Sequence, residues 1–250
     1  NDLVLATFGR GFWVLDDYTP LRHSSRETLE KPAVLFPVKD ALAFMERYPH
    51  GDKDKGFFGE TFFQAKNPPF GAVFTYYLKE GLKSPKEKRQ ETESEAAKEN
   101  KDVFYPTWDQ LRAEDRAEDP AILLTITDVE GNVLRRLSGP ASKGFHRVAW
   151  DLRFPPMNPV LGPPSGNDDG DGDGPTGPMA LPGAYRVQLS QRVDGVVTPL
   201  GEAQTFNVKP LANTSLPAPD RAALVAFQKQ TAELQRGGLG GSPAAHELQE

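Results

Sequence analysis

The feature that most constrains this chain is a two-residue hydrophobic period in Ala121 to Phe154, AILLTITDVEGNVLRRLSGPASKGFHRVAWDLRF. Ile122, Leu124 and Ile126 fall on one face of an extended chain and Leu123, Thr125 and Thr127 on the other, as a half-buried strand requires. Asp128-Val129-Glu130-Gly131-Asn132 supplies a reversal, because Gly131 and Asn132 tolerate positive φ at low steric cost, and Val133 to Leu137 returns as the second arm of a hairpin. After the break at Ser138-Gly139-Pro140, His146, Val148, Trp150 and Leu152 share one parity and Arg147, Ala149, Asp151 and Arg153 the other. Three consecutive strands are expected, with Trp150 as the central core residue.

Further strands surround this stretch. Val73 to Leu78 is rich in β-branched and aromatic side chains, and Ala33 to Phe36 makes a shorter run. Leu181-Pro182-Gly183-Ala184 leads into a strand with Tyr185, Val187 and Leu189 on one face. Asp194-Gly195 turns it, Val196-Val197 returns, and Gln204 to Val208 makes the last strand. Asp2 to Asp17, DLVLATFGRGFWVLDD, alternates on both sides of Gly9-Arg10-Gly11 and reads as a hairpin that needs a sheet to join. Glycine and proline number 23 each, which suits many turns between short strands.

Three of these stretches carry a resemblance. DLVLATFGRGFWVLDDYTPLR resembles the closing strands of the last blade in bacterial BNR-repeat, sortilin-like β-propeller proteins, where the position of Phe8 is commonly His. Asn67-Pro68-Pro69-Phe70-Gly71-Ala72 followed by Tyr76-Tyr77-Leu78 resembles the opening of the β-sandwich that follows the propeller in that family. WDLR, a loop, then PGAYRV is similar to an immunoglobulin-like sandwich of the flagellar-hook-cap-like kind, and roughly seven short strands suit one. The resemblance implies a mainly β chain: closing blade strands over 1–22, a connector over 23–66, an immunoglobulin-like β-sandwich over 67–210 and a C-terminal α-helical segment over 211–250. It also implies a secreted or periplasmic protein of glycosyl-hydrolase-like type, of which this is a fragment. The upstream blades of the same chain would be its partner, and a glycan or a protein its ligand.

The sandwich would be interrupted by a charged insertion, 84–118, and an acidic loop, 155–181. Ser84 to Asp102 has almost no apolar residue and is expected to be solvated, with at most a frayed helix held by i,i+4 pairs. Phe104, Tyr105, Trp108 and Leu111 form a small amphipathic patch after it. Asp40 to Tyr48 has weak helical spacing in Leu42 and Met45. Asp220 to Arg236 is a firm helix: Asp220 caps it, Gly237-Gly238 stops it, and Leu224, Phe227, Thr231 and Leu234 make an apolar stripe that must pack. Pro243 to Glu250 reads as the start of a second helix, cut short.

Composition removes several function classes. The net charge is −6, from 29 basic and 35 acidic residues, with no Lys/Arg stripe interleaved with aromatics, so no nucleic-acid partner is expected. No apolar run approaches the ~20 residues of a membrane span. Cysteine is absent, which excludes thiol nucleophiles, disulfides and cysteine-zinc sites.

No convergent catalytic set is legible. The histidines at 23, 50, 146 and 246 have no second ligand at metal spacing, and His146 is expected to touch the face of Trp150. Asp16 and Asp17 are adjacent in a strand, point to opposite faces and cannot flank a sugar as acid and base. No catalytic residue and no cofactor-binding residue is therefore assigned. Asp168, Asp169, Asp171 and Asp173 bring four carboxylates into six residues, a set that could wrap calcium. The EF-hand glutamate is missing, however, since the twelfth position from Asp168 is Met179, and a solvated acidic loop with no cofactor is the plainer account. A non-catalytic structural or protein-interaction module is the leading functional reading. The alternative is a carbohydrate-binding accessory module, with Phe57, Phe58, Phe62 and Phe63 or Tyr105 and Trp108 as stacking candidates.

Overall fold

The structure, a computed structural model, describes residues 2–9, 11–44, 68–155, 177–211 and 220–247, with side chains to 237 in the last segment. It is mainly β. In chain order it contains β1 (Leu3–Thr7), β2 (Gly11–Leu15), α1 (Thr19–Arg22), α2 (Arg26–Glu30), β3 (Ala33–Leu35), β4 (Ala41–Ala43) and β5 (Ala72–Leu78). There follow α3 (Pro85–Lys98), α4 (Trp108–Arg116), β6 (Ala121–Thr127), β7 (Val133–Gly139), β8 (Gly144–Trp150), β9 (Gly183–Val193), β10 (Val196–Pro199), β11 (Gln204–Pro210) and α5 (Arg221–Glu247). The strands form a two-stranded sheet β1-β2, a six-stranded sheet ordered β4-β11-β9-β6-β7 with β10 on β9, and a three-stranded sheet β3-β5-β8. The chain divides into two compact units. One comprises Asn1–Lys39, Val73–Ala149 and Arg186–Phe206, the other Asp40–Ala72, Trp150–Tyr185 and Asn207–Glu250.

In the first unit β6 lies between β7 and β9, both antiparallel to it, with Leu124 opposite Leu137 on one side and Leu189 on the other. Ile122, Leu124 and Ile126 are fully buried with Val187 and Leu189, so the alternation in sequence is the alternation of burial. From the three-stranded sheet β5 contributes Phe74, Tyr76 and Leu78, also fully buried. Phe74 meets Phe206 of the other sheet edge-on at 5.4 Å between ring centroids. The turn before β7 forms as its residues require: the Asp128 carboxylate accepts from the N–H groups of Glu130 and Asn132, and Gly131 takes φ +92°.

The third strand of the central stretch exists, but it joins β5 in the other sheet and not β7. The crossover sits at Gly139-Pro140. A Cβ on Gly139 would lie 2.4 Å from the Tyr76 hydroxyl, and that hydroxyl donates to the Pro140 carbonyl at 2.6 Å. His146 packs on Tyr76, 5.2 Å between ring centroids, where contact with Trp150 was expected.

In the second unit Trp150 is fully buried, as its parity predicts, and meets Tyr185 edge-on at 5.6 Å. Its indole N–H donates to the Arg153 carbonyl at 2.9 Å. Gly71, from the Asn-Pro-Pro-Phe-Gly-Ala run, adopts φ +99°, and a Cβ there would come within 1.9 Å of the Trp150 carbonyl oxygen. Close backbone approach therefore explains the glycine. Ala41 to Ala43, expected within a weak helix, is strand β4, paired in parallel with Val208 to Pro210. Ladder hydrogen bonds to β11 and an Asp40 carboxylate that accepts from the Asn207 N–H override two helically spaced apolar residues.

Helix α5 starts as predicted, with the Asp220 carboxylate accepting from the Ala223 N–H at 3.3 Å. Its end is a correction. The helix continues through Gly237-Gly238 to Glu247 as one element instead of two, because glycine in a helix costs only about 1 kcal/mol and stops it only where the backbone turns left-handed. The packing face is a second correction. Val225 and Ala232, seven residues apart, are the buried residues, whereas Leu224, Phe227, Thr231 and Leu234 face solvent. At 100° per residue the centres of the two sets lie about 130° apart, and the small side chains admit closer approach.

Candidate functional site

Hairpin β1-β2 pairs in register from Leu3 opposite Leu15 to Thr7 opposite Gly11. The even-numbered residues Val4, Ala6, Phe12 and Val14 share one face, and Leu3, Leu5, Trp13 and Leu15 share the other. Both faces are apolar and both are exposed, Trp13 at 65 % and Phe12 at 79 %. Among the described strands, neither pairs with any third. Solvated antiparallel sheets normally hide one apolar face and wet one polar face. A strand pair apolar on both faces with two open edges has the composition of a sheet interior.

The hairpin's far end is anchored by polar contacts. Asp2 accepts from the Asp17 N–H at 2.9 Å, and that backbone hydrogen bond first, with Lys39 as a smaller influence, holds the Asp2 carboxyl below the ordinary range. Asp17, at φ +45°, accepts from the Thr19 N–H, and its carbonyl accepts from Arg147 at 2.7 Å. The Asp17 carboxylate thus caps a turn, as a polar strand end does.

A groove of about 620 Å³ in the first unit is lined by Glu30, Pro32, Leu78, Lys79, Lys83, Lys88 and Leu200, among others. Two of its ammonium groups are engaged: Lys79 with Glu30 at 2.7 Å and Lys83 with Glu91. The hydrogen bond from Glu30 raises the Lys79 pKa, the reverse of what a nucleophilic or basic lysine needs.

The charged insertion is better ordered than its composition predicts. Ser84 and Glu87 form a reciprocal capping box at the start of α3, and Thr107 and Gln110 do the same for α4. Arg89 donates from Nε and Nη2 to the two oxygens of Glu114, at 2.7 and 2.8 Å, and from Nη1 to Glu93. No residue of α3 or α4 is buried, and this bidentate pair links one helix to the other. Between the helices Phe104 and Tyr105 are 88 and 85 % exposed, and Trp108, the first residue of α4, is 75 % exposed. Tyr105 and Trp108 were stacking candidates from sequence; Phe104 joins them here, and only exposure distinguishes such rings from core aromatics.

Asp168, Asp169, Asp171 and Asp173 lie outside the described residues, as do Phe57, Phe58, Phe62, Phe63 and His50. Among the described residues no group of three or more His, Asp or Glu side chains could hold a metal. No described helix is long and apolar enough to cross a membrane. No family model, curated protein or solved structure matches the chain.

Proposed function

We propose that the chain is a non-catalytic interaction module: an immunoglobulin-like β-sandwich whose N-terminal hairpin belongs to the last blade of a BNR-repeat, sortilin-like β-propeller in a secreted or periplasmic protein. The observation that carries this reading is the hairpin, apolar on both faces and, among the described strands, unpaired at both edges. A blade strand needs that pattern, because it is paired on its edges and covered on its faces by neighbouring blades. The two sheets that meet through Phe74 and Phe206 supply the support for a sandwich.

Deleting residues 1–16 tests the reading. Every described side chain of β1 and β2 is exposed, so the deletion should change stability by no more than about 0.5 kcal/mol, about 1–2 °C in Tm. Collapse of the remaining fold would show that the hairpin is part of this module's own core and overturn the proposal. The same chain should turn over neither aryl glycosides nor peptides.

A further inference from the structure

We propose that Phe104, Tyr105 and Trp108 form a stacking platform for the rings of a neutral glycan, presented by the α3–α4 insertion. The inference does not rest on the propeller reading. The three rings fall within five residues, all are at least three-quarters exposed, and among the described residues none makes a ring contact with another aromatic or a cation. Their π-faces are open. Burying side chains of this size would be worth several kcal/mol of hydrophobic free energy, which the fold forgoes here.

The segment that carries them runs into an ordered helix start. Pro106 fixes its own backbone, Thr107 and Gln110 cap α4 reciprocally so that Trp108 is the first helical residue, and Arg89 clamps α4 through Glu114. Neither α3 nor α4 buries a residue, so the insertion adds nothing to the core. A ring carried on a capped helix start, as Trp108 is, loses less conformational entropy on binding than one on a free chain.

The surroundings select the ligand. Residues 84–119 hold seven Lys/Arg against eleven Asp/Glu, an excess of four negative charges that disfavours nucleic acid, anionic lipid and other polyanions. In sequence the rings are flanked by the exposed polar side chains Asp102, Asp109 and Arg112, the last two 4.0 Å apart. Carboxylate and guanidinium groups hydrogen-bond sugar hydroxyls, while the C–H face of a pyranose covers an aromatic ring. A neutral polyhydroxylated ring satisfies both kinds of neighbour.

The test uses the whole chain in a Trp13→Phe background, so that Trp108 is the exposed indole. Native electrophoresis in gels containing mixed-linkage β-glucan, xylan, dextran or xyloglucan, with fluorescence titration by cellohexaose, measures binding. We expect retardation in at least one gel, an affinity loss of tenfold or more, read by fluorescence in Tyr105→Ala and by gel retardation in Trp108→Ala, and an unchanged melting temperature in both, since exposed rings carry no fold. Absence of retardation in all four gels would overturn the proposal, as would equal retardation of the double variant. Cosedimentation with phosphatidylcholine vesicles that the double variant abolishes, without glycan binding, would assign the patch to lipid and overturn it as well.

Discussion

Tyr76 ties together several parts of the first unit. It is fully buried, donates to the Pro140 carbonyl across the crossover, supports His146 and defines the space that Gly139 must leave empty. Burial pushes its phenol up to about 12 from the ordinary value of 10. The unfolded chain therefore releases this proton at lower pH than the folded chain, so the contribution is complete below pH 10 and lost between about pH 10 and 12. Tyr76→Phe should remove that alkaline loss of stability while costing about 1–2 kcal/mol at neutral pH, because the Pro140 carbonyl is left unsatisfied. Melting temperature followed from pH 8 to 12 checks both; an unaltered alkaline slope would mean that another group titrates there. Trp150→Ala should cost about 3–5 kcal/mol, as large buried aromatics do, measured by denaturant unfolding. Gly71→Ala faces both a left-handed backbone and a carbonyl, and should cost more than about 2 kcal/mol. Gly131→Ala, at φ +92° with open space for a Cβ, should cost less.

At the scale of elements, strands were legible wherever one face is buried. Ile122, Leu124 and Ile126, and Tyr185, Val187 and Leu189, announced β6 and β9 because a one-residue slip would have put each set in water. Which sheet a strand joins was not legible: β8 follows β7 closely, yet pairs with β5, a choice fixed by the Tyr76 contact at Gly139-Pro140 that no local pattern contains. Helix α5 was found at its cap, but its packing face was not, since Leu224, Phe227 and Leu234 outweigh Val225 and Ala232 in any apolar count. Among the stacking rings, Tyr105 and Trp108 could be named but not distinguished from core residues, because exposure depends on the tertiary fold. The insertion was underestimated for a related reason. Its order comes from capping boxes and one arginine, not from burial. Arg89→Ala should release α3 from α4, seen as faster hydrogen exchange over 85–98 with the sheet amides unchanged. Slow exchange in that variant would mean that α3 is held by something other than the Arg89 cluster.

At the scale of the whole molecule, two regions are built differently. Strands β5, β6 and β9 bury their apolar faces within this chain, whereas β1 and β2 bury none of theirs. A two-stranded ribbon is marginal in water, and among the described strands none pairs with β1 or β2; the proposed propeller blade would supply the partner sheet. Native-state hydrogen exchange compares the two regions in one experiment. The hairpin amides of residues 3–7 and 11–15 should exchange orders of magnitude faster than those of β6, and should become protected in a longer polypeptide that carries propeller blades ahead of Asp2. Hairpin protection equal to that of β6 in this chain alone, or no gain of protection in the longer polypeptide, would contradict the account.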